Sequence, residues 1–233
     1  MKIIRQSWRF LRGFGDIEAL GIIEIAGRTC YKSEDKIEDD SATKFVRQII
    51  ASGHHSVLEH ASVSVRIITD RGVTHETVRH RLASYSQEST RYCNYSQLKF
   101  GREITVILPV WFEKEFNCES RSLKGINKED MLWMSSDPYF TWQVSCQYAE
   151  QAYFKLLDLG QSPQQARSVL PNSLKTEIVM TANLREWRHF FSLRCSPAAH
   201  PQMRDLALSM LRGFKGAIPV LFDDLCPEEP TTC

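Results

Sequence analysis

The segment 61–69 constrains the fold most, because apolar and polar side chains alternate along it. Ala61, Val63, Val65 and Ile67 are apolar, and Ser62, Ser64 and Arg66 stand between them. Successive side chains of a strand point to opposite faces, so this spacing predicts a strand with one buried face. Shorter strands are predicted at 104–108 and 174–181, with helices clustered between and after them. This grouping indicates an α+β fold and not a regular βαβ repeat.

Apolar residues at helical spacing occupy much of the remaining chain. Helices are predicted at 17–26, 39–51, 139–159, 162–170, 183–193 and 202–214. In the helix 183–193, Trp187, Phe190 and Phe191 are expected to be buried. The segment 113–137 is polar and irregular, which predicts a mobile insertion.

One more helix is predicted to begin near Asp70 and to continue through the triplet Arg79, His80 and Arg81. Its apolar seam would be formed by Val73, Val78 and Leu82, with Asp70 or Thr74 as the N-cap. Consecutive residues of a helix point about 100° apart, so the triplet cannot face one compact ligand. The helix would therefore meet a large ligand, or more than one ligand or subunit.

The stretch from Arg79 to Tyr92 contains three arginines, three serines, a threonine and a histidine. Fixed cations and hydroxyl donors at this density suit anionic, oxygen-rich ligands such as phosphates. A solvated basic helix face is the alternative, because charge runs are commonly exposed to solvent. The net charge is only +1, so any anion must be bound by this local cluster and not by the bulk charge.

Composition excludes several classes of protein. With 42% apolar and 24% charged residues, the 233-residue chain is expected to fold around a hydrophobic core. Near-neutral charge argues against nucleic acid and membrane surfaces as partners. The seven cysteines are odd in number and form no Cys-x-x-Cys pair. Residues 1–15 lack the continuous apolar core of a signal peptide, and no apolar run approaches the length of a membrane span, so neither is predicted. A cytoplasmic, reduced protein is predicted.

Known nucleotide and metal motifs are absent from the sequence. No Gly-x-Gly-x-x-Gly follows a strand, and no P-loop pattern occurs. Five of the seven histidines lie between His54 and His80, which raises the alternative of a zinc site. The nearest pair, His75 and His80, is one residue too far apart for the His-Glu-x-x-His spacing of a zinc helix. We therefore predict no metal.

Six fixed positions resemble the signature of a known family. Arg79-His80-Arg81, Ser84, Ser89 and Arg91 reproduce Arg-His-Arg-x-x-Ser-x-x-x-x-Ser-x-Arg, which is similar to the motif of the flavin-dependent thymidylate synthases. Further matches extend from about Arg28 to about Arg194. The resemblance implies a single catalytic domain over 1–233, with a central antiparallel or mixed sheet and flanking helices.

The resemblance also implies which side chains bind the cofactor and which bind the nucleotide substrate. FAD would be bound by His54, Ser56, Arg79, His80, Arg81, Gln87, Asn183, Arg185 and His189. The nucleotide substrate would be bound by Glu76, Gln87, Glu88, Ser89, Thr90, Arg91, Arg167 and Arg194. Independently, Arg185 and His189 are four residues apart, so they are expected on one helix face.

The implied reaction is the reductive methylation of dUMP to dTMP, with methylenetetrahydrofolate as carbon donor and NADPH as reductant. The implied assembly is a homotetramer with FAD at subunit interfaces, and the implied role of Arg194 is to stabilise ionised uracil. No cysteine lies in a motif that would activate it as a nucleophile. A non-enzymatic nucleotide- or RNA-binding module remains the alternative. The chain departs from the family pattern at Cys30, Glu76, Ser86, Gln87 and His200.

Overall fold

The computed structural model describes residues 1–11, 16–117 and 136–225. The strands are β1 (Lys2–Ile4), β2 (Ser7–Phe10), β3 (Ser62–Asp70), β4 (Ala83–Gln87), β5 (Thr105–Ile107) and β6 (Lys175–Asn183). The α-helices are α1 (Asp16–Tyr31), α2 (Ser41–Ala51), α3 (Arg71–Thr77), α4 (Glu113–Asn117), α5 (Pro138–Asp158), α6 (Pro163–Ala166), α7 (Leu184–Arg194), α8 (Pro201–Ala217) and α9 (Pro219–Phe222). This mixture confirms the predicted α+β class. None of the described helices combines the length and apolarity that crossing a bilayer requires.

The strands form two sheets. In the smaller sheet β1 pairs with β5 in parallel, with Lys2 opposite Thr105. The larger sheet has the order β2-β3-β6-β4. Its inner strands are β3 and β6, the two longest, and both alternate between buried and partly exposed residues. The alternation of buried and partly exposed residues in β3 confirms the strand predicted at 61–69.

The chain divides into two compact units. The first contains Met1–Ser7, Ile68–His75 and Gln87–Ile178, and the second contains Trp8–Ile67, Glu76–Ser86 and Val179–Cys233. In the first unit, Tyr95, Ile104 and Tyr153 belong to a core whose other buried members are Val106, Cys146, Ala166 and Leu174. The interpretation of 1–233 as one catalytic domain stays a prediction.

An aromatic cluster forms the core of the second unit. Trp187, Phe190 and Phe191 of α7 are fully buried, as their spacing predicts. The Trp187 ring lies 5.0 Å from the ring of Phe214 on α8, and its indole N–H donates to the Val63 carbonyl at 3.1 Å. Each buried ring contributes about 3–5 kcal/mol against truncation to alanine. The cluster therefore fixes the orientation of α7.

The helix predicted through Arg79, His80 and Arg81 is wrong, because α3 ends at Thr77. The Tyr85 hydroxyl donates to the carbonyl oxygens of Thr77 and His80, at 2.9 and 2.8 Å, which stabilises a turn in place of further helix. Burial raises the pKa of Tyr85 to about 12, so this hydroxyl keeps its proton. The strand β4 follows this turn.

The apolar face predicted for the helix through Arg79–Arg81 does not form, because α3 ends at Thr77. Val73 is buried, but the side chains of Val78 and Leu82 are 39% and 74% exposed because they lie beyond the helix end. The N-cap prediction is confirmed for Asp70, whose carboxylate accepts from the Val73 N–H at 2.7 Å.

The polar segment 113–137 is not irregular throughout. Glu113–Asn117 forms α4, and the Glu113 carboxylate accepts from Arg5 Nε at 3.0 Å and from Arg5 Nη2 at 2.9 Å. At the other end, the Asp137 side chain caps α5. The prediction of an irregular stretch is therefore wrong at 113–117, and residues 118–135 of the predicted mobile insertion lie outside the described residues.

Candidate active site

The guanidinium of Arg194 is held by hydrogen bonds from each of its three nitrogens. Nε donates to His80 Nε2 at 3.1 Å, Nη1 donates to the Glu76 carboxylate at 3.0 Å, and Nη2 donates to the Glu76 carbonyl at 3.1 Å. The aromatic cluster orients α7, and Arg194 lies in its last turn. His80 was predicted to bind FAD, and Glu76 and Arg194 were predicted to bind the nucleotide; the structure brings the three side chains together.

His80 lies between Arg194 and a buried carboxylate that the sequence does not predict. His80 and Glu186 are 4% and 6% exposed, and His80 Nδ1 lies 3.0 Å from Glu186 Oε1. Arg79 and Arg81 on either side are exposed. Glu186 stands between two arginines, which suggests a surface helix, but it is four residues before the buried Phe190. That spacing places it on the seam of α7, a signal that could have identified it.

The surroundings of His80 favour the neutral imidazole. Burial lowers the pKa of His80 below its usual 6.5, and the positive charge of Arg194 acts in the same direction. The hydrogen bond to Glu186 raises that pKa but does not outweigh burial. The His189 ring centroid is 5.7 Å away, and its charge when protonated would lower the pKa further.

A lowered pKa gives a definite dependence of stability on pH. As the pH falls below 6.5, unfolded chains protonate His80 before folded chains do, so its contribution to stability is lost between 6.5 and the lower folded pKa. We expect the melting temperature of the parent to fall relative to that of His80→Gln when the pH is lowered from 7.5 to 5.5. Thermal melts at matched ionic strength measure this difference. A parent that gains stability relative to the variant would mean that His80 is protonated in the folded state.

Three potential metal ligands lie together in this region. One donor atom each from His80, Glu186 and His189 lies within 4.8 Å of the others. A cation bound there would stand close to the guanidinium of Arg194, which already occupies His80 Nε2. Like-charge repulsion opposes such binding. The expectation that the protein binds no metal stays a prediction.

A cavity of about 390 Å³ lies beside the residues that were predicted to contact the flavin. It is lined by His54, Ser56 and Arg185 together with apolar side chains, among them Tyr31 and Ile49. Its volume falls in the range of small-molecule sites, about 300–1,000 Å³. The adjoining imidazole of His55 has a buried nitrogen, Nε2, without a hydrogen-bond partner among the described residues. An apolar wall with polar side chains and an unsatisfied nitrogen fits a flavin ring.

The outer face of α7 presents two of the predicted flavin contacts. Arg185 and His189 are both exposed, which confirms that they share a face, and Arg185 donates to Glu59 at 2.6 Å. Asn183 caps the helix, because its side-chain oxygen accepts from the Glu186 N–H at 2.8 Å. Its amide oxygen therefore already has a structural role.

The predicted nucleotide loop of the first unit is a tight turn. The backbone N–H groups of Tyr92 and Cys93 donate to the Ser89 carbonyl at 3.1 and 2.9 Å. The Arg91 N–H donates to the Ser89 hydroxyl at 3.3 Å, and the Arg91 side chain is exposed. Thr90 is buried, and its hydroxyl accepts from Arg167 at 3.2 Å. One arginine is thus anchored and the other is available to solvent.

Glu88 of this loop is paired within the protein. Its carboxylate accepts from Lys175 at 2.9 Å and from the Tyr95 hydroxyl at 3.3 Å. Burial lowers the pKa of Lys175, but hydrogen bonds to Glu177 and Glu88 outweigh it and raise the pKa above its usual value. Lys175 is therefore a cation at neutral pH.

Gln87, predicted to contact both flavin and nucleotide, donates to two threonines of the same unit. Its amide nitrogen lies 3.0 Å from the Thr74 hydroxyl and 3.2 Å from the Thr176 hydroxyl. These bonds fix the orientation of the amide group. An anionic glutamate could not donate either bond, so the neutral amide suits this position.

Residues 17–220 match the family model described as thymidylate synthase complementing protein. The chain is 35% identical over 226 residues to the flavin-dependent thymidylate synthase of Geobacter sulfurreducens, covering 91% of this chain and 87% of that one. It is 36% identical over 206 residues to the enzyme of the same name from Mycobacterium tuberculosis, covering 87% of this chain and 78% of that one.

A solved structure also resembles the fold. It is a UMP/dUMP methylase, PolB, from Streptomyces cacaoi, bound with 5-Br dUMP. The superposition has a TM-score of 0.68 with 22% sequence identity, and it covers 96% of each chain. At this identity the similarity concerns the fold alone.

Proposed function

Because the chain belongs to the thymidylate synthase complementing proteins, the family of the flavin-dependent thymidylate synthases, we propose that it methylates uracil C5 of dUMP. The observation that carries the proposal is the guanidinium of Arg194, held on three nitrogens by His80 and Glu76. A guanidinium fixed before the ligand arrives stabilises developing charge without reorganising during the reaction.

The charge of Arg194 suits the activation of a pyrimidine. Methylation at C5 requires an electron-rich ring, and loss of the N3 proton places negative charge on the N3–C4–O4 system. Arginine stays protonated at neutral pH, so Arg194 cannot remove that proton itself. It can stabilise the ionised ring through the N–H groups that His80 and Glu76 do not use. We assign it this role as the catalytic residue.

The cofactor of the proposed reaction is FAD. His54, Ser56 and Arg185 at the cavity would hold it, with His189, Arg79 and Arg81 as further exposed contacts. Three further residues proposed for the FAD site already make hydrogen bonds within the protein: His80, Gln87 and Asn183. They would therefore shape the site from within the protein. Bound FAD would supply the redox chemistry, with NADPH as reductant and methylenetetrahydrofolate as the carbon donor.

The phosphate of dUMP is assigned to the loop of Ser89, Thr90 and Arg91. Arg91 is exposed, and Arg167 is anchored on the Thr90 hydroxyl at 3.2 Å. Two arginines and a turn of backbone N–H groups suit a phosphate. Glu76 and Glu88 complete the proposed nucleotide contacts.

Thiol chemistry is not part of the proposal. Burial raises the pKa of Cys146 to about 11, and burial also raises the pKa of Cys93. Both thiols are therefore protonated at neutral pH and are weak nucleophiles. Cys30, Cys93, Cys146 and Cys195 are free thiols, which suits the reducing cytoplasm that we propose as the location.

The reaction can be tested directly with the purified full chain. With dUMP, methylenetetrahydrofolate, NADPH and FAD, we expect dTMP, identified by the mass of the product. Leaving out the folate, or using the apoprotein without added FAD, should abolish it, and UMP in place of dUMP tests the choice of sugar. A protein that binds dUMP but forms no product under any of these conditions would favour the non-enzymatic nucleotide-binding alternative.

We also propose a homotetramer with FAD at its subunit interfaces. The three residues of the basic triplet have different surroundings, although they do not lie on a helix: His80 is buried, and Arg79 and Arg81 are exposed. In addition, α1 exposes Ile22 and Ile25, at 40% and 55%. Light scattering coupled to chromatography should give about four times the chain mass of 26.9 kDa.

A charge on the exposed apolar face of α1 tests this assembly. Ile25→Glu is expected to lower both the mass and the amount of FAD bound per chain, because an unpaired charge would be buried in the interface. Leu159→Glu is the matched control, since Leu159 is 64% exposed and lies at the end of α5 in the other unit. A parent that is a monomer with one FAD per chain would contradict the assembly.

A further inference from the structure

Glu186 has no role in the proposed reaction, yet its carboxylate is buried beside His80, the imidazole that accepts a hydrogen bond from Arg194. It is 6% exposed and lies 3.0 Å from His80 Nδ1. A buried carboxylate has a large desolvation cost unless it is hydrogen-bonded. Because a buried carboxylate is costly and rare, its position next to the Arg194 network is best explained by a specific task.

The bond from Arg194 determines which nitrogen of His80 carries the proton. Arginine has only donors, so the 3.1 Å contact between Arg194 Nε and His80 Nε2 requires Nε2 to be the acceptor. The proton of the neutral imidazole must then be on Nδ1, where it is donated to Glu186 Oε1 at 3.0 Å. A single arrangement satisfies both bonds, and the tautomer is fixed by the partners on either side.

The opposite tautomer would disrupt the site at both ends. A proton on Nε2 would point at the N–H of Arg194, and an unprotonated Nδ1 would face the carboxylate of Glu186. The ring itself stays neutral because burial and the charge of Arg194 lower the pKa of His80, and they outweigh the hydrogen bond and charge of Glu186, which raise it. The ring also packs against Phe190 at 4.9 Å between centroids, which restricts its rotation.

We propose that Glu186 is a positioning residue, which holds His80 as the Nδ1–H tautomer so that Nε2 can fix the guanidinium of Arg194. The proposal rests on the role of Arg194 in the proposed function. It predicts that the loss of Glu186 acts on turnover more than on nucleotide binding. The phosphate of dUMP is assigned to the loop of Ser89, Thr90 and Arg91, which the loss of Glu186 does not touch. The guanidinium of Arg194, in contrast, would lose its fixed orientation.

The tautomer can be read without any turnover. Magic-angle-spinning NMR of the sedimented, flavin-bound full chain, labelled with ¹⁵N-histidine, distinguishes protonated from unprotonated ring nitrogens. The His80 signal is identified by its loss in His80→Gln. We expect a protonated Nδ1 and an unprotonated Nε2 at pH 7.5. A protonated Nε2 in the parent overturns the proposal, and this result does not depend on whether Arg194→Ala keeps activity.

Variants of Glu186 test the consequence for catalysis. In Glu186→Gln the amide can donate to Nδ1, so we expect part of the His80 population to shift to Nε2–H. We expect kcat to fall about ten- to a hundredfold, the range typical of groups that orient a functional side chain, with the KM for dUMP nearly unchanged. Glu186→Asp keeps the charge and should retain the tautomer and recover part of kcat.

The matched control loosens the same helix without touching His80. Arg188 of α7 donates to both oxygens of Asp224, at 2.8 and 2.6 Å, so Asp224→Asn should lower the melting temperature but leave the His80 spectrum and kcat near those of the parent. An unchanged kcat in Glu186→Gln overturns the proposal whatever tautomer is found. An Asp224→Asn variant with the same loss of kcat as Glu186→Gln would also overturn it, because the effect would then come from loosening α7.

Discussion

Replacing Arg194 by alanine is expected to lower the rate of dTMP formation by about a hundred- to a thousandfold, while FAD stays bound. Removing one preorganised donor that stabilises developing negative charge typically costs a loss of this size. The flavin contacts proposed at the 390 Å³ cavity do not include Arg194. Initial rates at saturating dUMP, with the flavin content read from absorbance, measure the two effects separately.

Two further variants test whether the effect on the rate comes from the shape of the guanidinium, from its charge alone, or from a less stable helix end. Arg194→Lys keeps the charge but cannot bond His80, the Glu76 carboxylate and the Glu76 carbonyl with one planar group, so nearly the full loss is expected. Arg204→Ala is the control, because Arg204 donates to the carbonyl of Cys195 at 3.1 Å, next to Arg194. Turnover by Arg194→Ala close to the parental rate would leave only an interaction with the helix dipole, worth about 1 kcal/mol or less.

The second large effect is expected at Arg91. Its side chain is exposed on a loop whose neighbour, Thr90, anchors Arg167. A charge-assisted hydrogen bond to a phosphate contributes about 1.5–3 kcal/mol. Arg91→Ala should therefore weaken dUMP binding about ten- to a hundredfold and leave FAD binding unchanged. Calorimetric titrations of the flavin-bound protein with dUMP, and of the apoprotein with FAD, measure both affinities.

The control for Arg91 removes a cation of the same unit that has no proposed ligand. Lys155 is exposed on α5, so Lys155→Ala reports any effect of bulk charge on the binding of an anion. That effect should be small and should disappear at higher ionic strength. Equal losses of dUMP and FAD affinity in Arg91→Ala, or no loss of either, would show that the loop does not bind the phosphate.

Periodic features of the sequence predict the fold well. The alternation at 61–69 predicts β3, and the spacing of Trp187, Phe190 and Phe191 predicts the buried face of α7. These features depend on which face of a helix or strand meets the core, and the spacing of apolar residues within one segment indicates that face. The turn after Thr77 is different, because the hydroxyl of Tyr85 ends the helix, and no periodic pattern encodes that bond.

The candidate site is predicted as a set of residues but not as an arrangement. Arg194 and Glu76 are far apart in the sequence, and nothing in either segment predicts that their side chains are 3.0 Å apart. Glu186 is missed for a related reason. A glutamate between two arginines suggests a solvated surface, and only the packing of Phe190 and its neighbours buries it.

Asn183 is both the last residue of β6 and the cap of α7, so no loop separates the strand from the helix. The strand thereby sets the rotational phase of the helix. One residue inserted after Asn183 would turn every side chain of α7 by about 100° around its axis, moving Arg185, His189 and Arg194 away from their partners at once. In an engineered variant, or during divergence of the family, this junction can therefore accept substitutions but not a change of length, and new specificity has to come from side chains elsewhere.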